Sequence, residues 1–336
     1  MNKISEFARL IRPYGLLFLG LTPVFSAIFN GMFDFFYLFI LFLIGSLSHI
    51  FIFVQNDYFD VEVDKKSIYV SKRPLIVGSI SKKEALLIVV LSFLLSIILV
   101  FIFIFKIMSF IFLLLSFFFF SMYNKYSKKN AFMEYVLSAG VFTFGLFGAF
   151  SVNNTISDLA IIFCFFASIQ WLFSVGVFAN FKDVEYDTKI GIKTTPTLLG
   201  VKIIDKKLFV SNVFKVYAFG IKIIHIIIAM LPFLFRFTSM YIDSLPIQLI
   251  FFIILSIIIL YLLVKILLTP LSKRNKMLIY EGLQEGFSYL LVPTVYAGYL
   301  IEHLGFLSTI LLIVFMIIWP LTCFRILFGK KMIPFE

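Results

Sequence analysis

The sequence predicts an all-α protein, a polytopic bundle of nine or ten transmembrane helices. Of the 336 residues, 62% are hydrophobic and only 14% are charged, whereas soluble domains average about 25% charged residues. The apolar residues form long runs, and Lys and Arg gather in the short segments between these runs. We therefore expect one membrane-embedded domain over residues 1–336.

Ten apolar segments are long enough, or nearly so, to cross a bilayer, which takes about 20 helical residues. The expected spans are 14–31, 35–56, 84–105, 108–123, 132–150, 158–181, 216–235, 246–268, 284–301 and 305–327. The fourth and ninth segments are the weakest. Ahead of the first span, Ile4 and Phe7 alternate with charged residues, which is typical of a surface amphipathic helix.

The net charge of +11 would suggest a nucleic-acid partner in a soluble protein. Here the Lys and Arg residues concentrate in every second loop, and the opposite loops hold only Lys106 and Arg236. The positive-inside rule then puts both termini and the more basic loops in the cytoplasm. We expect an integral multi-pass membrane protein with no nucleic-acid partner and no obligate protein partner.

The first acidic stretch follows the second predicted span and reads Asn56-Asp57-Tyr-Phe-Asp60-Val-Glu-Val-Asp64. If the helix continues, Asn56, Asp60 and Asp64 share one face and Asp57 points elsewhere. Three stacked oxygen-bearing side chains repel one another unless a cation lies between them. Mg²⁺ takes one or two carboxylates together with water and phosphate oxygens. The spacing therefore predicts metal ligands at Asn56, Asp60 and Asp64.

A second acidic stretch, Asp183-Val-Glu-Tyr-Asp187, follows the sixth predicted span. Its two aspartates are again four residues apart, and the charge pattern places them on the same side of the membrane as the first stretch. The helix dipole disfavours negative charge at a C-terminal helix end. A single stretch is also typical of a solvated helix end, but two matched stretches favour cations. We expect Asp183 and Asp187 to complete a site for two metal ions and a diphosphate.

An internal repeat links the two stretches. Arg73-Pro74 and then Gly78 follow the first stretch, and Thr195-Pro196 and then Gly200 follow the second. Pro and Gly alone mark ordinary turns, but here they keep nearly the same distance from each acidic pair. The pattern predicts a parallel duplication.

A diphosphate also needs cationic contacts. Arg73 is the strongest candidate, because its planar guanidinium binds phosphate oxygens in pairs. Each lysine candidate is also explained as a loop charge that orients the chain in the membrane. The expected diphosphate contacts are Asn56, Arg73, Lys72, Lys128 and Lys189.

Polar residues in the later spans have simpler interpretations. Lys222 lies about two turns from the predicted membrane edge, so we expect its ammonium group to reach the interface. His225 is interpreted as a hydrogen-bonded core residue. Glu281 and Glu285 lie at the start of the ninth predicted span, where negative charge close to a helix N-terminus is favourable.

These motifs resemble those of the UbiA superfamily of intramembrane prenyltransferases. The resemblance extends to about residue 205, and beyond that point it depends on hydrophobic pattern alone. The matching residues are Arg12-Pro13, Asn56-Asp57-x-x-Asp60-x-x-x-Asp64, Arg73-Pro74, Asp183-x-x-x-Asp187 and Thr195-Pro196.

The resemblance implies nine transmembrane helices around a central cavity, two Mg²⁺ ions and an isoprenyl diphosphate donor. It implies that Arg73 and Lys128 bind diphosphate and that Asp60, Asp183 and Arg73 are catalytic. The acceptor is either an aromatic quinone precursor or a lipid alcohol. With nine family helices, either residues 305–336 add a C-terminal span or one weaker segment does not cross. The implied metal ligands are Asn56, Asp60, Asp64, Asp183 and Asp187.

A cation-coupled transporter is the alternative function, because it shares the span count and the repeat. Against it, the acidic residues lie at span ends rather than at the membrane midplane, and no pair of broken helices is evident.

Overall fold

The computed structural model describes residues 3–67, 69–205, 207–238 and 246–329. Helices dominate because only internal hydrogen bonds satisfy the backbone of an apolar chain in lipid. The helices up to residue 173 are α1 (Lys3–Ile11), α2 (Leu16–Phe29), α3 (Phe35–Asp64), α4 (Pro74–Val77), α5 (Lys82–Leu99), α6 (Ile107–Tyr126), α7 (Met133–Val152) and α8 (Asp158–Phe173).

The remaining helices are α9 (Asn180–Lys182), α10 (Val184–Lys189), α11 (Thr195–Leu198), α12 (Asn212–Leu234), α13 (Ile247–Leu268), α14 (Arg274–Val295), α15 (Ala297–Leu304) and α16 (Phe306–Phe328). A short hairpin lies before α12, a small departure from the all-helical expectation. Its strands are β1 (Lys202–Ile204) and β2 (Lys207–Phe209), which pair antiparallel with Ile203 opposite Leu208.

Nine helical segments in the described ranges are long and apolar enough to cross a membrane. This count confirms the predicted polytopic helical protein. The boundaries of the expected ninth span, 284–301, were wrong: α14 ends at Val295 and α15 begins at Ala297. α14 is not among the nine because strongly polar residues, among them Glu281, Gln284 and Glu285, lower its hydropathy. The C-terminal helix α16 is among them.

The first of two compact units comprises residues 1–127, 139–164 and 316–336. In this unit α3 packs against both α2 and α5. The side-chain amide of Asn30 donates to the carbonyls of Ala149 and Thr155 at 2.9 and 3.0 Å. These bonds satisfy one carbonyl in the last turn of α7 and one just beyond its end. Trp319 Nε1 donates to the carbonyl of Pro13 at 2.7 Å, so α16 is tied to the loop that follows α1.

The second compact unit comprises residues 128–138 and 165–315. Its core is formed where α12, α13 and α14 pack together with the residues that end α8. Phe181 stacks on Phe214 with ring centroids 5.5 Å apart. Ile266 and Met277 are buried in the same cluster. This packing holds the segment that leads into the second acidic stretch.

Two glycines allow α2 and α3 to approach closely. A Cβ atom added at Gly45 would lie 2.6 Å from the carbonyl oxygen of Gly20 and 2.7 Å from its Cα. Both neighbours are backbone atoms, so neither can rotate away. Small residues serve this purpose at helix–helix contacts in membranes, because van der Waals packing replaces the hydrophobic effect as the driving force.

We predict that Gly45→Ala destabilises the protein by about 1–3 kcal/mol, because overpacking forces the two helices apart. Gly282→Ala is the matched control, since no atom lies within 4 Å of a Cβ added at that helical glycine. Thermal unfolding of the purified protein in detergent measures both variants. An unchanged midpoint for Gly45→Ala would show that α2 and α3 do not depend on this contact.

Candidate functional site

The first acidic stretch is the C-terminal end of the 30-residue helix α3. The helix continues without interruption through Asp64, so Asn56, Asp60 and Asp64 occupy successive turns of one face, as expected. Asp60 and Asp64 are only 5% and 7% exposed, and Asn56 is partly buried. Buried carboxylates are costly unless they are paired or coordinate a metal, so this face requires positive charge.

Asp57 belongs to the same group, and the prediction that it points elsewhere was wrong. Its carboxylate is 3% exposed and accepts from Arg12 Nη2 at 2.6 Å and from Arg73 Nη1 at 3.2 Å. Arg73 Nη1 also donates to Asp64 Oδ2 at 2.7 Å. Seven residues make almost two whole helical turns, so Asp57 and Asp64 are close enough to share one guanidinium.

Arg12 is a site residue that sequence reasoning missed. It lies between α1 and a short 3₁₀ helix, with a left-handed backbone at φ 51°. Its carbonyl contacts His49 Nε2 at 3.2 Å, and its guanidinium lies 5.2 Å from the centroid of the Phe53 ring. In the sequence, Arg12 was recognised only as part of the Arg12-Pro13 pair in the family resemblance, and no role was predicted for its side chain.

Arg73 is positioned by a short helix that directly follows it. Arg73 is the N-cap of α4, and Gly78 ends α4 with φ +78°, a left-handed conformation that glycine adopts without steric cost. The side chain is thereby directed back to α3, where it bridges Asp57 and Asp64. Lys72, the preceding residue, is exposed.

The second acidic stretch follows a distorted helix end. A π-helical segment, Ser174–Ala179, continues α8 into α9, and Asp183 separates α9 from α10. The Asp187 amide donates to the Asp183 carbonyl at 2.9 Å, so the two residues keep the spacing of one helical turn. Single π turns within helices often occur at functional sites.

Two cations meet this stretch. Arg274, which begins α14, donates from Nη2 to Asp183 Oδ1 at 3.0 Å and from Nη1 to the Lys182 carbonyl. Lys128 Nζ lies 3.8 Å from Asp187 Oδ1, and the Asp187 side chain is 1% exposed. Lys128 therefore lies where the sequence analysis expected a cation, whereas Arg274 was missed. Lys189 is 68% exposed and pairs with Glu185 at 2.8 Å.

The internal repeat is visible in the local structure of each unit. α11 repeats α4: each is a four-residue helix with Pro in its first turn, and each is followed by a glycine of positive φ, Gly78 or Gly200. Thr195 stands where the first copy has Arg73. Its hydroxyl donates to the buried carboxylate of Glu134, which the hydroxyl of Tyr217 also reaches at 3.4 Å.

The donor set fits Mg²⁺. The candidate ligands are hard oxygen donors, one amide and several carboxylates, and the carboxylates of Asp60, Asp64 and Asp187 are buried. Among the described residues, no three His, Cys, Asp or Glu side chains meet closely enough to form a complete protein cage.

Known proteins resemble this chain in sequence and in fold. At the sequence level the chain is 26% identical over 170 residues to a 4-hydroxybenzoate octaprenyltransferase of Blochmanniella floridana, covering 50% of this chain and 59% of that protein. It is 28% identical over 151 residues to the enzyme of the same name from Francisella tularensis subsp. novicida, covering 45% and 52%. The chain thus spans about half the length of the curated relatives it matches.

Solved structures share the fold. A UbiA homologue from Aeropyrum pernix K1 superposes with TM-score 0.64 at 12% identity, covering 87% of this chain and 98% of that one. A structure described as digeranylgeranylglyceryl phosphate synthase gives 0.59 at 19% identity, covering 91% and 100%. A UbiA homologue from Archaeoglobus fulgidus, bound to GPP and Mg²⁺, gives 0.59 at 18% identity, covering 85% and 99%.

The family model supplies the identification. A model described as the UbiA prenyltransferase family matches residues 17–279, a range that includes both acidic stretches and both short helices that follow them. Nothing in these comparisons favours the transporter alternative. This chain belongs to the UbiA prenyltransferase family.

Proposed function

We propose that this protein transfers an isoprenyl group from a prenyl diphosphate to a hydroxyl-bearing acceptor within the membrane, in an Mg²⁺-dependent reaction that releases diphosphate. The observation that carries the proposal is the pairing of buried carboxylates with Arg or Lys in each acidic stretch. Such a mixture of anionic and cationic groups suits a metal–diphosphate ligand, which itself carries both signs of charge.

The proposed metal ligands follow the donor chemistry. Bound Mg²⁺ would neutralise the charge that grows on the departing diphosphate. Within the proposal Asp60 and Asp183 are catalytic because they hold that positive charge at the reacting diphosphate. The complete proposed set is Asn56, Asp60, Asp64, Asp183 and Asp187.

The basic residues have a second task in the proposal. Arg73 is the proposed catalytic cation of the first unit. A guanidinium has several N–H donors, so it can contact more than one acceptor at the same time. Lys128 is its counterpart beside Asp187. Asn56, Lys72 and Lys189 stay proposed diphosphate contacts. Arg12 and Arg274 join them, because each already pairs with an acidic side chain of one stretch.

The names of related proteins support the substrates. GPP and Mg²⁺ are bound in the Archaeoglobus homologue, which supports a prenyl diphosphate donor. The matched relatives are named for 4-hydroxybenzoate, which supports an aromatic acceptor. The structural neighbour named for digeranylgeranylglyceryl phosphate supports a lipid alcohol. Incubation with labelled geranyl diphosphate and each acceptor in turn, followed by extraction of the lipid product, distinguishes them.

We also propose that both acidic stretches and both termini face the cytoplasm. The proposal rests on the distribution of Lys and Arg, which are concentrated in every second loop.

Asp60→Asn and Asp183→Asn should each lower Mg²⁺-dependent prenyl transfer by at least about 100-fold, because each removes charge that holds the metal at the departing diphosphate. Glu185→Gln is the control, since Glu185 lies between Asp183 and Asp187 in sequence but pairs with Lys189. Product formation from labelled geranyl diphosphate measures all three. Full activity in either aspartate variant would refute its proposed role.

Asp57→Asn should raise the donor KM and lower thermal stability, because it releases Arg12 and one contact of Arg73 from a buried partner. Glu62→Gln on the same helix is the control: Glu62 is 68% exposed and pairs with Lys65 and Lys82 at the surface. Kinetics at varied donor concentration and thermal unfolding measure both effects. Equal behaviour of the two variants would show that Asp57 does not position the arginines.

The orientation predicts that a reporter enzyme active only in the cytoplasm remains active when fused to the C-terminus. A reporter fused beside Arg236, in a weakly basic loop, should be inactive. The opposite pair of results would invert the proposed topology.

A further inference from the structure

A second group of polar side chains lies inside the second unit, away from the acidic stretches. Three helices bring it together: α8 with its π-helical continuation, α12 and α14. We call it the intramembrane polar cluster. Its members are Gln170, Ser174, Lys222, Glu285 and Ser288.

Lys222 is the centre of the cluster, and the expectation that it reaches the interface was wrong. Its side chain is 0% exposed. Nζ donates to Gln170 Oε1 at 2.7 Å and to Ser288 Oγ at 3.3 Å, and it lies 3.9 Å from the centroid of the Phe173 ring. An ammonium group inside a membrane protein is costly and needs a reason to be retained. α8 and α14 supply the acceptors that hold it inside.

Glu285 supplies the opposite charge. It accepts a hydrogen bond from Ser174 and interacts electrostatically with Lys222 and Lys182. Glu285 lies well inside α14, which begins at Arg274, so the favourable helix N-terminus expected from sequence does not explain it. Unlike Lys222, Glu285 is partly accessible. Its carboxylate has about four lone-pair positions, so the bond from Ser174 leaves capacity for a ligand.

The cluster is connected to the second acidic stretch. Lys182, whose charge acts on Glu285, directly precedes Asp183. Ser174 lies nine residues before Asp183 along α8 and its continuation, or roughly 13 Å at the rise of a helix. Because Ser174 hydrogen-bonds to Glu285, the Glu285 carboxyl group lies at a similar distance from the proposed metal ligand Asp183.

Unsatisfied polar atoms adjoin the cluster. Both side-chain polar atoms of Gln284 and both ring nitrogens of His225 are buried without a hydrogen-bond partner among the described residues. Gln284 precedes Ser288 by one turn of α14, and His225 follows Lys222 by one turn of α12, where its ring lies 4.3 Å from that of Phe166. Leaving such groups unpaired is unfavourable, and a polar ligand would offset that cost.

We propose that Glu285 binds the hydroxyl group of the prenyl acceptor, with Lys222 as the positioning residue that balances its charge. This inference rests on the proposed prenyl transfer. The acceptor O–H donates to a carboxylate oxygen of Glu285, and the side chains of Lys182 and Lys222 act electrostatically on the same carboxyl group. The ligand class is a small hydroxyl compound, either an aromatic hydroxy acid or a prenylated glycerol phosphate.

If Glu285 and Lys222 had a purely structural role, their replacement would have different effects. Replacing a buried pair by neutral groups often leaves function intact and is frequently neutral for stability. A structural role would change stability or all kinetic constants together. An acceptor site changes the KM for the acceptor and leaves the KM for the donor alone.

The test uses the full chain in detergent with geranyl diphosphate, Mg²⁺ and, in separate arms, 4-hydroxybenzoate or a geranylgeranylated glycerol phosphate. Glu285→Gln should raise the acceptor KM by about tenfold or more, as the loss of a charged hydrogen bond does, with an unchanged donor KM. Lys222→Met and Ser174→Ala should shift the acceptor KM in the same direction by less. Glu302→Gln, an exposed residue of α15, should match the wild type.

The outcomes separate the two proposals. An acceptor KM within twofold of the wild type for Glu285→Gln, or an equal rise in both KM values, overturns the acceptor site and leaves prenyl transfer standing. If Glu285→Gln does not fold, an unchanged acceptor KM in Ser174→Ala overturns it. If the wild-type protein transfers prenyl groups to neither acceptor, the proposed function fails and the acceptor site fails with it.

Discussion

Buried carboxylates at the ends of membrane helices have to meet positive charge, and both units are organised around that requirement. The helix dipole opposes Asp60 and Asp64 at the end of α3, and burial removes the water that would otherwise stabilise them. Arginines from other segments of the chain supply the positive charge. Arg12 arrives from the N-terminal loop and Arg73 from the start of α4. A metal–diphosphate ligand would meet both charges at once.

The two copies of the repeat meet the requirement differently. The first uses Arg73, placed by α4. The second copy has Thr195 at the equivalent position, bound to Glu134, and takes its cations from Lys128 and Arg274. The short helix and its glycine are kept in both copies. The backbone scaffold is thus duplicated, while the charge is supplied by whichever segment lies beside the helix end.

Local periodicity explains what could be predicted. The shared face of Asn56, Asp60 and Asp64 follows from their four-residue spacing, given that the helix continues through Asp64. Arg73 and Lys128 follow from the need for cations near these side chains. The position of Asp57 was predicted wrongly because only residues four apart were placed on one face. Residues seven apart also lie on nearly the same face of a helix. Arg274 was missed, and Lys222 was wrongly expected at the interface, because their partners, Asp183 and Gln170, are distant in sequence. Only tertiary packing brings such pairs together.

The central proposal is that both acidic stretches contribute to Mg²⁺-dependent diphosphate binding. Titration calorimetry of diphosphate into the purified protein, with and without Mg²⁺, tests it most directly in the wild type, Asp64→Asn and Asp187→Asn. We predict one Mg²⁺-dependent binding event per chain, weakened at least tenfold by either substitution, as expected when a charged ligand contact is lost. Wild-type affinity in either variant would contradict the claim, because it would show that one stretch binds diphosphate without the other.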